Sequence, residues 1–418
     1  MIKVIRISII IFFAFIYTTF AQESSAYSRY GVGDIVYGYS AKMLGIGDLG
    51  VTQLDPDHII TTNPASWSVF DRTRIEISMG YKGVAISNAT ESVFTSETKL
   101  RGITLGFPLS TTHGAGLVLG LLPYSEVSYL SEQDFPSTDE DIPAYKIKYE
   151  GDGGIAKFLI GSSYTLPSGI SLGATFEYYF GNMKYISDLE FDENSNNVNT
   201  NYEDNYRLRG IGTTVGIISQ NLAKALDISS FSDLRVGLSF NYLSKLNTDT
   251  LYSATSLSVV DTLGYSTSLK TYIPYRLNAG ISLALSEIHK FNLDFMYQPW
   301  NEYDFNNVQS ENLRNALKVS FSYEYKPTKG TGLAAVELMA WRGGLSYEET
   351  PYKFNGVNIN QYSVFGGFTF PFGGENTVDL TVQYGIRGTI ENNLLKENFV
   401  KLYLGVSFGE LWFLRYEK

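Results

Sequence analysis

The chain has 418 residues, no cysteine, a formal net charge of −11 and 18% charged residues. Without cysteine there is no disulfide, thiolate metal site, thiol nucleophile or sulfur-linked lipid. The acidic balance excludes nucleic acid, which needs a basic face. No stretch reaches the roughly 20 apolar residues of a helix that spans a bilayer.

Lys3 and Arg6 precede an apolar run from Ile7 to Phe20, and Thr19-Phe20-Ala21 closes it before Gln22. A basic start, a short apolar core and a small-residue cleavage site read as a secretory signal peptide over 1–21, not as an anchor.

Residues 22–72 lack strand periodicity. They carry Tyr27-Ser28-Arg29-Tyr30-Gly31, then Gly45-Ile46-Gly47-Asp48-Leu49-Gly50-Val51, Asp55 and Asn63-Pro64-Ala65. Their small and apolar residues favour a hatch or plug packed in the lumen of whatever follows. Asn63 suits a side-chain hydrogen bond, and Pro64 a fixed turn. Gly45-x-Gly47-x-x-Gly50 also fits a dinucleotide fingerprint. The strand before it and helix after it that such a site needs are not predicted.

From Thr73 to Phe408 the chain reads as fourteen amphipathic strands. Leu234, Val236, Leu238, Phe240 and Tyr242 alternate with Arg235, Gly237, Ser239 and Asn241. Leu317, Val319, Phe321, Tyr323 and Tyr325 alternate with Lys318, Ser320, Ser322 and Glu324. Period 2 puts each set on one side of a sheet. Aromatics at 15%, with 31 Tyr and 26 Phe, suit strands and membrane interfaces.

The connections sort by length. Tight turns are expected near Pro108-Leu109-Ser110, Leu166 to Gly169, Ser286 to His289 and Pro371 to Gly374. Long polar loops are expected at Ser131 to Gly154, Asp188 to Asp204, Thr248 to Ser266 and Pro299 to Asn312. Two short-side links are longer: Pro327 to Ala335, and Ser219 to Asp233, where Leu222, Ala223, Ala225 and Leu226 suit a short helix. An even strand number with turns on one side and loops on the other is the pattern of an all-β, fourteen-stranded antiparallel transmembrane β-barrel. A soluble sandwich has no reason to sort its loops. Even parity places both termini in the periplasm of an outer-membrane protein. Residues 409–418, with Trp412 and Phe413, form a periplasmic tail.

Parity turns Arg235, Asp294, Lys318 and Glu177 inward, and Arg276 near a strand end. These lumen charges are candidates for substrate contact. An arginine there could hold a ligand carboxylate or pair with a carboxylate of the hatch or wall, such as Asp48 or Asp55.

The run from Gly45 to Val51, then Asp55 and Asn63-Pro64-Ala65, directly before the first strand, resembles the FadL-like family of outer-membrane transport proteins for long-chain fatty acids and aromatic hydrocarbons. The resemblance covers nearly the whole mature chain. Asp48 and Leu49 stand where that family has small residues. The long tail and Tyr27 to Gly31 look like divergent Bacteroidetes members, some of which serve as subunits or plugs of a type IX secretion translocon. The resemblance implies a hatch of Gly45, Gly47, Gly50, Asp55, Asn63, Pro64 and Ala65. It also implies uptake of a hydrophobic solute by hatch-gated lateral diffusion through a kinked strand, with no cofactor. The alternative is a structural or plug-type barrel at a secretion translocon. Expected partners are outer-membrane lipid and lipopolysaccharide and a hydrophobic ligand, with a secretion-system barrel as the partner in the alternative reading.

An enzyme is not expected. There is no Gly-x-Ser-x-Gly elbow, and His58, His113 and His289 lie far apart without zinc spacing. Asp192-x-Asn194-x-Asn196 with Glu203 resembles a calcium loop, but Asn197 stands where glycine is required. The acidic run Asp134 to Asp141 reads as a solvated loop with some capacity for divalent cations.

Overall fold

The computed structural model describes residues 25–137, 143–191, 197–328, 336–373 and 375–411. The expected signal peptide, the expected Trp412-Phe413 tail, most of the Pro327 to Ala335 link and parts of both candidate cation loops lie outside these residues.

Fourteen antiparallel strands close into a barrel. They are β1 (Thr73–Ser87), β2 (Ser92–Ser110), β3 (Ala115–Phe135), β4 (Tyr145–Thr165), β5 (Ser171–Phe191) and β6 (Thr200–Ile218). Next come β7 (Asp233–Leu243, continued by Leu246–Ser256) and β8 (Val259–Tyr272, continued by Arg276–Ala284). The rest are β9 (His289–Gln298), β10 (Ala316–Tyr325), β11 (Ala340–Phe354), β12 (Val357–Phe372), β13 (Asn376–Gly388) and β14 (Lys396–Glu410). β14 pairs with β1, so Glu410 lies opposite Thr73 and Lys396 opposite Ser87. Closure joins the last strand to the first, and a closed ring is how strands satisfy their backbone groups in a bilayer.

The apolar sets face outward. Val236, Leu238, Phe240 and Tyr242 of β7 are exposed, as are Phe176, Tyr178 and Phe180 of β5. On β6 the outward row runs Ile217, Val215, Thr213, Ile211 and then Arg209 and Arg207. The belt therefore ends at Arg209, well short of the strand's other end.

Three expected long loops are corrected by this. Most of Ser131 to Gly154, Asp188 to Asp204 and Thr248 to Ser266 is strand, drawn out beyond the belt as tall hairpins. Above the belt both faces of a strand meet water, so polar residues occupy both, and the sequence there looks like loop. Pro299 to Asn312 does remain a loop with short strand fragments, and Leu222–Ala225 forms the short helix. One rim thus carries tight turns, and the other carries hairpins.

The wall opens a seam between β2 and β3. β2 pairs with β3 only between Ile103–Leu121 and Ser110–Ala115. Beyond that, β2 stays with β1 and β3 with β4. Gly102, at φ +150, sits where they part, and β1 and β2 slip register beside it.

Residues 25–72 run down the lumen. Ser25 donates its backbone N–H to Ser128 of β3 and its hydroxyl to Glu397 of β14, near the hairpin rim. The segment ends at Thr73, on the turn rim. Asp34–Ile35 pairs with Glu126 and Ser125 of β3, inside the seam. Two short helical pieces follow, Ala41–Leu44 and Pro64–Val69. Tyr39, Met43, Ile46, Ile59, Ile60, Trp67 and Phe70 pack against Val118, Leu122 and Leu159 of the wall. Burial of these apolar surfaces seats one side of the plug.

Candidate functional site: the plug and the vestibule above it

The other side of the plug is held by charge. Near the turn rim, Lys42 pairs with Asp55 at 3.1 Å and with Glu324 of β10. Lys326 reaches Asp55 and Asp57 at 2.9 and 3.0 Å. Arg74 of β1 meets Asp57 at 2.6 Å. His58 lies between Asp55 at 3.1 Å and Asp379 of β13 at 2.9 Å, and Arg342 of β11 completes Asp379 at 2.9 Å. Burial alone pulls the His58 imidazole down, but Asp379 and Asp55 outweigh it and raise its pKa to about 9. Burial likewise opposes the Asp55 charge, while Lys326, Lys42 and His58 hold the carboxyl well below its usual range.

Nearer the hairpin rim, Arg387 of β13 clamps Asp34 at 2.9 Å and Glu397 at 2.6 Å, and also touches Ser25. Burial works against the Asp34 carboxylate, but Arg387 and Lys82 keep it far below the usual range. Arg101 of β2 reaches Glu126 of β3 at 2.7 Å across the seam. Buried ion pairs give modest net stability but are costly to half-remove. They fix where the plug sits.

The predicted hatch residues have distinct places. Asn63 is fully buried. Its side-chain amide donates to Val51 O at 2.9 Å and to Ile217 O and Leu238 O of the wall at 3.3 Å. Its Oδ1 accepts from Ala65 N–H at 3.1 Å, capping the turn that Pro64 opens. A Cβ on Gly173 would collide with the Pro64–Ala65 backbone, and one on Gly216 with Asn63 Oδ1. Gly47 lies so close to Ser320 of β10 that a side chain would strike it, and both Gly47 and Gly50 have positive φ. Gly45 lies against Arg342 in the same way.

The lumen candidates are mostly occupied. Lys318 pairs with Asp48 at 2.7 Å and approaches Glu348 at 3.8 Å. Asp294 accepts from the Gly50 and Val51 N–H groups, both at 3.1 Å. Arg235 binds Asp233 at 2.8 Å. Arg276 covers the Tyr37 and Tyr124 rings at 4.9 and 5.5 Å. Glu177 accepts from Lys157 and Thr214 at 3.1 and 2.9 Å. Sequence reasoning did not single out Lys42, His58, Asp34, Arg387 or Asp379 as ties. The inward parity of Asp379, Arg387 and Glu397 was the available signal. Among the described residues no cluster of His, Asp and Glu suits a metal ion.

Several cavities remain among the described residues. Beside the seam is one of about 70 Å³, lined by charged groups including Lys82, Glu126, Lys318 and Lys401. Above the plug, inside the tall hairpins, is a vestibule of about 360 Å³. Tyr129, Tyr149, Met183, Tyr185, Tyr206, Tyr303 and Phe305 line it, with Arg29 reaching in from the plug. Tyr206 stands edge-on to Tyr185 at 5.6 Å and to Phe305 at 5.7 Å. Rings so arranged offer a rigid apolar surface with polar tips.

The sequence matches the model of the BamG family over residues 1–417. No curated protein matches it. Among solved structures, the fold is similar to a Pseudomonas aeruginosa FadL homologue (TM-score 0.62, 11% identity, covering 90% of this chain and 99% of the other). It is also similar to the Ralstonia pickettii toluene transporter TbuX (0.58, 12%, 90% and 99%) and the P. putida toluene transporter TodX (0.59, 13%, 90% and 99%). At such identities the likeness speaks for the fold alone, the fourteen-stranded antiparallel barrel of FadL-like proteins.

Proposed function

The chain belongs to the BamG family, and from that premise we propose an outer-membrane channel that takes up small hydrophobic molecules of the aromatic hydrocarbon or fatty acid class. The observation that carries this reading is the aromatic vestibule placed directly over a sealed plug. In this reading the hairpin rim faces outward and the turn rim faces the periplasm. A solute loses its water against Tyr129, Tyr185, Tyr206 and Phe305. A straight path down the lumen would then cross the buried charges around Lys318, Glu324 and Asp379, where an apolar molecule gains nothing. The seam between β2 and β3 offers a sideways route, and Asp34–Ile35 is its removable filling. Gating would be a shift of this part of the hatch, with Asn63 and Asp55 holding the rest in place. The solved relatives named for toluene transport support the solute class only by likeness of fold.

The test is uptake of radiolabelled toluene and oleate by cells with and without the gene. Unchanged uptake of both on deletion would sink the channel reading.

A second reading has its own observation. The hairpin of β7 and β8 stands above the belt and carries exposed Leu257, Val259, Val260, Leu263 and Tyr265. A solvated tip gains nothing from such residues, whereas a protein contact does. This favours a structural barrel subunit docked to an outer-membrane protein-translocation assembly. Native electrophoresis of mild detergent extracts separates the two readings. A large assembly that shrinks when the hairpin tip is replaced supports the second, and a free monomer opposes it.

A further inference from the structure

Between the plug and the wall lies a small cavity of about 40 Å³, separate from the vestibule. Four polar atoms on its lining residues are buried without a hydrogen-bond partner. They are Thr62 Oγ1 of the plug, and Tyr124 OH, Arg276 Nη2 and Asn278 Oδ1 of the wall. Tyr124 and Asn278 are only 2% and 3% exposed. Other polar residues of the lining are already engaged: Lys157, Thr214 and Asn241 all donate to Glu177, at 3.1, 2.9 and 3.1 Å. Native proteins leave few buried polar atoms unpaired, and four around one small space call for an occupant.

Space and charge narrow what that occupant is. A volume of this size takes about three water-sized particles, too few for any hydrocarbon or fatty acid. Arg276 donates from Nε to Gln298 at 3.1 Å and lays its guanidinium over the Tyr37 and Tyr124 rings. Among the described residues it forms no ion pair with a carboxylate. The carboxylates on either side are spent, Glu177 on Lys157 and Glu348 on Tyr37 and Lys318. Water would fill the hydrogen bonds but bring no countercharge to the guanidinium. A small anion does both. Arg276 Nη2, Tyr124 OH and Thr62 Oγ1 are all able to donate. Asn278 completes the set when its amide is turned over. Its Nδ2 then enters the cavity, and its Oδ1 accepts from the Ser239 hydroxyl, its present partner at 3.0 Å. We propose that this cavity is a chloride site that latches the plug to the wall. The halide accepts from Thr62 on the plug side and from Arg276, Tyr124 and Asn278 on the wall side. The site takes no part in solute capture, so it stands or falls apart from the channel reading.

The test grows crystals of the full-length barrel in bromide, which replaces chloride and scatters anomalously. One anomalous peak among Arg276, Tyr124 and Thr62 is expected, and it should be lost in Arg276→Gln. Tyr124→Phe and Thr62→Val each remove one donor with little change of shape, and should weaken the peak. In solution, chloride at about ten times its dissociation constant should slow hydrogen exchange at residues 36–39 and 60–63 by about tenfold relative to gluconate. That dependence should vanish in Arg276→Gln. A cavity without a bromide peak, or a peak that survives Arg276→Gln, would overturn the proposal. So would exchange indifferent to chloride beside a clear peak, which would mean binding at crystal concentration only.

Discussion

Gly216 of β6 leaves the space that the Asn63 side chain of the plug fills: a Cβ there would collide with Asn63 Oδ1. The amide in that space bonds one plug carbonyl and two wall carbonyls. Gly216→Ala should therefore unseat the plug locally, at a cost of about 1–3 kcal/mol. Asn63→Ala should do the same by leaving buried carbonyls unpaired. Faster hydrogen exchange at residues 51–67, with strand content unchanged, is the expected result. Normal protection in both variants would refute the role of this contact.

Lys318 and Asp48 offer a cleaner energetic test. Lys318→Met strands a buried Asp48 carboxylate and should cost about 3–5 kcal/mol. Asp48 has φ +74, a conformation that glycine accepts freely. Asp48→Gly should accordingly recover much of the loss in the double variant. A double-mutant cycle by urea unfolding reads the coupling, and additive losses would mean the pair is not coupled.

Alkali should loosen the plug before acid does. The folded pKa of His58 is raised to about 9 from an ordinary 6.5. A raised value means that its contribution is complete below the unfolded pKa and is lost as pH rises through about 9. Asp34 and Asp55 are shifted the other way, so their contributions hold above the ordinary carboxylate range and vanish only in strong acid. Protection of residues 55–60 against exchange should fall between about pH 8 and pH 10. In His58→Gln that step should be absent.

The seam is closed by Arg101 and Glu126, which meet at 2.7 Å. If solute leaves there, Arg101→Ala should raise toluene uptake severalfold in cells. The same variant should leave conductance in planar bilayers low, because the axial plug is untouched. A large new conductance with no gain in uptake would place the weak point in the lumen instead.

At the tip of the β7–β8 hairpin, Leu257 and Ser258 have φ of 49° and 67°. Such a two-residue turn favours Asn-Gly, so an exposed leucine there is an unfavourable choice for folding. Leu257→Asn with Ser258→Gly should stabilise the hairpin by about 1 kcal/mol. If the tip docks a protein, the same change should shrink the native assembly while thermal stability holds or rises. An assembly of unchanged size would remove the tip from any interface.

The strands were legible in the sequence because lipid on one side and a filled lumen on the other enforce alternation. Where lipid ends, the enforcement ends. Lys146 and Lys148 point outward into water while Tyr149 lines the vestibule, and so the tall hairpins read as loop. Asn63-Pro64-Ala65 could be found because its cap is local. The ties could not, because Lys42 meets Glu324 and Ser25 meets Glu397. Contacts between residues so distant in the chain leave no spacing to read. Only inward parity hinted at them, and parity does not say which partner a charge will choose.

The Arg387 clamp also bears on how the molecule is made. It joins Asp34, near the beginning of the described chain, to Glu397 on the last strand. That last strand is the one that zips onto β1 to complete the cylinder. The clamp is complete only when the early segment lies inside and the last strand has arrived. Closure of the wall and seating of its contents therefore stabilise each other, and we expect them to be coupled. A chain whose early residues are absent or misplaced should stall as an open, unzipped sheet rather than mature into an empty pore.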